Sequence, residues 1–233
     1  MVRSAPKTTL HKASQRYVGI YGGTFDPIHN AHLALARQVR DHFMLDAVLV
    51  VPACCPPHKK QPAASFVDRV AMIQAALATC VDCDSIVCSR IEDELPYPSY
   101  TIQTVEKVMQ EGGPHNYALI IGLDSLVDIP GWYRAEDLLS LVDLLVVNRG
   151  NTPRENMGKL VQGLAPAFVP VAGADYFVNQ FGKTAHFLDT FDVPISSTVI
   201  RRALRNGQKP DGVPEVVLNY ILKHGLYRGD PPS

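Results

Sequence analysis

The strongest constraint on this chain is its alternation of short apolar runs with longer amphipathic ones. The segments YVGIYGG (17–23), AVLVVP (47–52), SIVCSR (85–90), YALIIG (117–122), DLLVVNR (143–149) and TAHFLD (184–189) read as strands. NAHLALARQVRDHFM (30–44) puts Leu35, Val39 and Phe43 on one stripe and reads as a helix, as does FVDRVAMIQAALATC (66–80). Further helices are expected near 99–111, 135–141, 197–206 and 214–224, and 150–182 is the hardest stretch to assign. Strands apolar on both faces must be covered on both faces, with right-handed crossovers through the intervening helices.

The expected fold is therefore α/β, a Rossmann-like doubly wound parallel sheet with helices on both faces and a small C-terminal helical part. A length of 233 residues suits a single domain over 17–228, with a tail over 1–16 and another over 229–233. No internal repeat or linker divides it. In such sheets ligands bind at the carboxyl ends of the strands. That topology gathers 22–32, 52–60, 122–125 and Arg149 on one rim.

Composition narrows the partners. With 46% hydrophobic and 19% charged residues the chain is globular, and its net charge of -1 provides no broad basic face. Nucleic acid is not an expected partner, and any anion site must be built locally. No apolar run approaches the roughly 20 residues that cross a bilayer, so no membrane is expected. The opening MVRSAPKTTLHKASQR carries Arg3, Lys7, Lys12 and Arg16 and no acid, which fits a transit peptide or a frayed tail. It lacks a secretory apolar core, and a cytoplasmic location is expected. A homo-oligomer is left open. Cys80, Cys83 and Cys88 are spaced C-x2-C-x4-C with no further ligand in easy reach, and Cys54 and Cys55 are adjacent, so no metal site is assigned.

The first strand runs into GGTFDPIHNAH (22–32). This is neither a dinucleotide nor a P-loop fingerprint, and His29 and His32 lack the spacing and glutamate of a zinc protease. Gly22 and Gly23 allow backbone to approach a ligand, and Asp26-Pro27 holds the chain out of helix until the next element begins. His32 then falls in a helical first turn, where free N–H groups and the dipole favour an anion. Two imidazoles there can donate to phosphate oxygens, and a bound polyanion would favour their charged forms. The alternative is a helix start with two solvated histidines.

PISSTVIRRALR (194–205) provides a second anion signal. Ser196 or Ser197 supplies an N-cap, and Ile200, Ala203 and Leu204 form the inner stripe. Arg201 sits early in that helix against the dipole, which suggests an anionic partner, whereas Arg202 and Arg205 read as solvated surface. PPHKK (56–60) adds basic residues at the same rim, Asp124 an acid suited to a ribose, and Trp132 a flat ring for stacking. No Ser stands at a nucleophile elbow.

In this order the pieces GGTFDPIHNAH, PPHK, PSYTIQTVE, IIGLDSL with Trp132, ISSTVIR and YILKHGLYR resemble the bacterial-type nicotinate-nucleotide adenylyltransferases of the nucleotidyltransferase superfamily. The resemblance spans 17–228. It implies adenylyl transfer from ATP to nicotinate mononucleotide, giving nicotinate adenine dinucleotide and pyrophosphate in NAD biosynthesis, with Mg²⁺ held mainly by ATP phosphates. Carried over, His29 and His32 hold the ATP phosphates, and Gly22, Gly23, Thr24 and Phe25 line the nucleotide. Ser197, Thr198 and Arg201 grip the β- and γ-phosphates, and Asp124 meets a ribose. Lys59 with His58 takes the mononucleotide phosphate, Trp132 stacks on the pyridine ring, and Tyr100 and Thr101 shape its pocket. Ala31 stands where the family usually has glycine, and RGNT replaces the RPGY-like stretch around Arg149. Other readings stay open: another acceptor, such as nicotinamide mononucleotide or phosphopantetheine, a non-catalytic nucleotide sensor, or a metal-dependent hydrolase.

Overall fold

The alternating runs fold as strand and helix in turn, beginning with β1 (Tyr17–Gly23), α1 (Asn30–Phe43), β2 (Ala47–Pro52), α2 (Phe66–Ala78) and a short β3 (Ile86–Cys88). The computed structural model describes residues 16–54, 61–148, 152–189 and 195–228. A 3-10 turn at Ile91–Glu94 leads into α3 (Thr101–Gly112), β4 (Asn116–Gly122) and α4 (Leu123–Asp128). A second 3-10 turn at Ile129–Gly131 precedes α5 (Ala135–Leu141) and β5 (Asp143–Asn148). The chain ends through α6 (Arg154–Gln162), β6 (Val169–Pro170), β7 (Phe177–Val178), β8 (Thr184–Asp189), α7 (Ser197–Arg205) and α8 (Glu215–His224).

The strands form one sheet in the order β3-β2-β1-β4-β5-β8-β7-β6. Neighbours from β3 to β8 are parallel, and β7 and β6 close that edge antiparallel. Strand order reverses between β1 and β4, so the crevice above Gly22, Gly23 and Gly122 is where a ligand belongs in this topology. The expected stripe of α1 is buried, with Leu35, Val39 and Phe43 packed beside Met72 and Ile73 of α2 and Val217 and Ile221 of α8 on one face. On the other face lie Ile102 and Val105 of α3, Leu138 of α5 and Met157 of α6. Helices thus cover both faces, as fully apolar strands require.

The structure adds elements at 150–182 that the pattern does not announce. Helix α6 contains Gly158, where a Cβ would meet the Phe177 ring at 2.9 Å. Close approach to β7 therefore explains a residue that costs a helix about 1 kcal/mol. At the amino end of the sheet the Tyr17 hydroxyl and the Thr184 N–H and hydroxyl all donate to Asp143, tying β1, β5 and β8 together. A Cys80–Cys83 disulfide closes the turn after α2, a pairing that an odd cysteine count does not reveal. The tail expected over 1–16 falls outside the described residues except Arg16, whose carbonyl accepts from the Asn116 N–H, and 229–233 falls outside entirely. Among the described residues no helix is long and apolar enough to cross a membrane.

Candidate active site

The carboxyl end of β1 turns sharply into α1, and the turn is built by its side chains. A Cβ at Gly22 would meet nothing within 4 Å, so open space adjoins the backbone there, whereas one at Gly23 would touch the Phe25 ring at 2.8 Å. Phe25 takes a positive φ of 49°, a conformation rare for a bulky residue. Its ring is only 3% exposed and packs edge-on beneath His32, with centroids 5.0 Å apart. The Phe25 side chain thus supports an imidazole, and Gly22, Gly23 and Thr24 are the more exposed residues of the turn. Thr24 is half-buried, and its carbonyl accepts from Arg69 Nη1 at 2.8 Å.

His29 is the N-cap of α1 and His32 its third helical residue. Their rings stack at 3.6 Å, and the His29 N–H donates to His32 Nδ1 at 3.3 Å. An acceptor at Nδ1 leaves the neutral ring's proton on Nε2, which makes that nitrogen the donor for an anion. His32 is half-buried and able to reach a ligand, whereas His29 is 2% exposed and acts closer to the scaffold. Ala31 is the second residue of α1, where it favours helix over glycine by about 1 kcal/mol.

The second signal arrives from far along the chain. Ser196 caps α7 by accepting from the Val199 N–H at 3.3 Å, and the Ser197 hydroxyl donates to the Pro27 carbonyl at 3.0 Å. Arg201 Nη1 donates to the Asp26 carbonyl at 2.6 Å, and Nη2 reaches Thr198 Oγ1 at 3.4 Å. The structure thus brings Ser197, Thr198 and Arg201 against the loop that carries His29 and His32. Ile200 is buried, and Arg202 and Arg205 are exposed, as the helical stripe requires.

Asp124 is exposed in the first turn of α4, directly after β4. Trp132 follows the Ile129–Gly131 turn and is half-buried, and it and Tyr100 each pack against the second core face. Tyr100 is the N-cap of α3, Thr101 its first residue, and the Tyr100 ring lies 4.6 Å from that of Tyr133. Helix α3 starts two residues later than expected, with Tyr100 as its N-cap and Ser99 bonded to Glu92. His58, Lys59 and Arg149 lie outside the described residues.

Two carboxylates organise this rim, and neither stands out in sequence. Asp26 is 4% exposed and accepts from the N–H groups of Ala63 and Ala64 at 2.7 and 3.0 Å and from the Tyr227 hydroxyl at 2.7 Å. Burial, then the bond to Asp26, pushes the Tyr227 phenol far up, so it stays a neutral donor. Arg69, 1% exposed, lies over the Phe66 ring; burial pulls its pKa down and the Asp26 charge opposes that. Glu92 accepts from the Cys54 N–H, the Ser99 hydroxyl and the Thr104 hydroxyl at 2.8, 2.8 and 2.9 Å. It fastens the end of β2 to the start of α3. The only hint in sequence is that both acids sit beside a motif rich in donors.

The chain is similar to known proteins over most of its length. Residues 20–203 match the cytidylyltransferase-like family. A probable nicotinate-nucleotide adenylyltransferase of Synechococcus sp. (strain JA-3-3Ab) is 39% identical over 91% of this chain and 95% of its own length. The nicotinate-nucleotide adenylyltransferase of Escherichia coli O157:H7 is 37% identical over 90% and 97%. Among solved structures, nicotinic acid mononucleotide adenylyltransferase of Plasmodium falciparum complexed with NaAD superposes with a TM-score of 0.70 at 19% identity, covering 91% of this chain and 97% of that one.

Proposed function

We propose, for a chain that belongs to the cytidylyltransferase-like family and within it to the nicotinate-nucleotide adenylyltransferases, the transfer of an adenylyl group from ATP to nicotinate mononucleotide, forming nicotinate adenine dinucleotide and pyrophosphate. The observation that carries the reading is the meeting of α7 with the β1–α1 turn, which sets Arg201 beside the loop of His29 and His32. The same reading places the protein in NAD biosynthesis and in the cytoplasm. One domain over 17–228 would carry the whole site.

The reaction needs little covalent help. An oxygen of the mononucleotide phosphate attacks the α-phosphorus of ATP in line, the bond to the β-phosphate oxygen breaks, and pyrophosphate leaves. Catalysis then consists of alignment and of neutralising charge on the α-phosphoryl group and the departing pyrophosphate. His32 Nε2–H supplies a donor from the helix start, supported by stacked His29. Arg201 faces the β- and γ-phosphates from the opposite side with Ser197 and Thr198. Gly22, Gly23 and Thr24 offer backbone to the nucleotide, and Asp124 accepts from a ribose hydroxyl. Trp132 stacks on the pyridine ring beside Tyr100 and Thr101, and Lys59 with His58 takes the acceptor phosphate.

Mg²⁺ enters as part of the substrate, carried on the ATP phosphates. The Asp26 carboxylate is buried and already accepts from three protein donors, which ties it to the scaffold. The testing experiment is pyrophosphate release from MgATP with a panel of mononucleotides. Turnover should be highest with nicotinate mononucleotide; preference for the nicotinamide or phosphopantetheine acceptor would overturn the assignment.

A further inference from the structure

The C-terminal Tyr227 reaches back to the first loop of the fold, and its hydroxyl ends on a carboxylate that touches the phosphate clamp. Asp26 Oδ1 accepts from Tyr227 Oη and the Ala64 N–H, and Oδ2 accepts from the Ala63 N–H. Oδ2 also faces Arg201 Nη1 at 3.8 Å, the nitrogen that donates to the Asp26 carbonyl. The same aspartate therefore holds the guanidinium through its backbone and faces it with its charge. Its carboxylate is 5% exposed, whereas the Arg201 side chain is 22% exposed, so the arginine has an inner end anchored to Asp26 and an outer edge open to a ligand. Buried and already accepting from three protein donors, Asp26 is poorly placed to take a proton from substrate. It is suited to orient Arg201.

We propose that Tyr227 is a positioning residue for Arg201, acting through the Asp26 carboxylate, so that the closing segment of the chain sets the geometry of the phosphate clamp. The inference rests on Arg201 binding phosphate as proposed above. Tyr227 touches no reacting atom in this scheme. Its hydroxyl fixes the rotamer of Asp26, and Asp26 fixes the reach of the guanidinium. Residues that share partners in one hydrogen-bond and charge network couple energetically, typically by about 0.5–3 kcal/mol. Rotation of the carboxylate would move the clamp without dismantling the sheet.

The test uses Tyr227→Phe, Arg201→Lys and the double variant in the full chain, with inorganic pyrophosphate as the probe in calorimetry and kcat and KM measured alongside. Tyr227→Phe should weaken pyrophosphate binding and lower kcat by about tenfold, a loss near 1.4 kcal/mol. In the Arg201→Lys background the same change should cost about twofold or less. A purely structural role would lower the melting temperature while kcat stayed near wild type, or would give the same loss in both backgrounds; either result overturns the proposal. Asp26→Asn, which keeps an acceptor for Tyr227 while it removes the charge facing Arg201 and sets an NH₂ against the Ala63 N–H, is the second probe should Tyr227→Phe not fold. Its losses should likewise vanish beside Arg201→Lys, and additive losses would overturn the proposal. A wild-type protein that binds pyrophosphate with this coupling yet does not turn over nicotinate mononucleotide would sink the proposed acceptor and leave the positioning role standing.

Discussion

The imidazoles of His29 and His32 lie stacked with centroids 3.6 Å apart and planes 19° from parallel, and the His29 N–H donates to His32 Nδ1. Both contacts act on the same ring, and with Nδ1 as an acceptor the neutral ring's donor is Nε2–H. Replacing His32 with alanine removes that donor but leaves β1, the N-cap and the buried stripe of α1 in place. We expect adenylyl transfer to fall by about 100- to 1,000-fold, the usual loss for one charge-stabilising donor, with the melting temperature nearly unchanged. Near-wild-type turnover in a well-folded variant would remove His32 from the mechanism.

How much of this was readable in advance follows from what each signal depends on. Strands buried on both faces show in composition alone, so β1, β2, β4, β5 and β8 were legible as apolar runs. The histidine turn and the α7 start carry local chemistry and were legible for that reason. Strands β6 and β7, two residues each, exist only because they pair along the exposed edge at β8, and no periodicity fits in so short a run. Gly158 in α6 reads as a helix breaker until Phe177 is seen lying against it. Asp26 and Glu92 escaped because their roles are purely relational. An acid that collects donors from distant segments looks, in sequence, like any loop acid.

Trp132 is half-buried and, like Tyr100, packs against the second core face. Trp132→Ala should raise the KM for nicotinate mononucleotide by roughly 10-fold or more, as expected when about 1.5 kcal/mol of stacking is lost. The KM for ATP should change little, since the ATP contacts proposed at Gly22, Gly23 and His32 belong to the turn from β1 to α1 and not to the segment of Trp132. A defect confined to ATP would show that the ring has been assigned to the wrong substrate.

Glu92 gives its carboxylate oxygens to the Cys54 N–H, the Ser99 hydroxyl and the Thr104 hydroxyl. Glu92→Gln replaces one acceptor with an NH₂ group that confronts donors, leaving at least one part-buried polar group unpaired. A loss of about 1–3 kcal/mol in urea unfolding is expected. Because Ser99 leads directly into Tyr100 and Thr101, the variant should also bind the mononucleotide less tightly, which a KM measurement on the folded protein would show. Unchanged stability would mean that the three donors find water as readily as they found the carboxylate.

His186 shows how the opposite end of the sheet responds to acid. It is 3% exposed on β8, between the rings of Tyr176 and Phe43 at 5.1 and 5.7 Å. The Thr184 hydroxyl spends its hydrogen on Asp143, so it can only accept from His186, which places the ring proton on Nε2. Burial lowers the pKa of His186 from 6.5 to about 4; Asp143 and Asp175 oppose the shift, and His42 and Arg154 add to it. A depressed histidine pKa means that the unfolded chain binds the proton first as the pH falls. Stability is therefore fully present above about pH 6.5 and is lost progressively down to about pH 4, by about 3 kcal/mol from this group. His186→Phe keeps the ring between its aromatic neighbours and removes the titrating nitrogen. Urea midpoints measured from pH 7.5 to 4.5 should slope less in the variant than in the wild type; parallel curves would show that the acid sensitivity arises elsewhere.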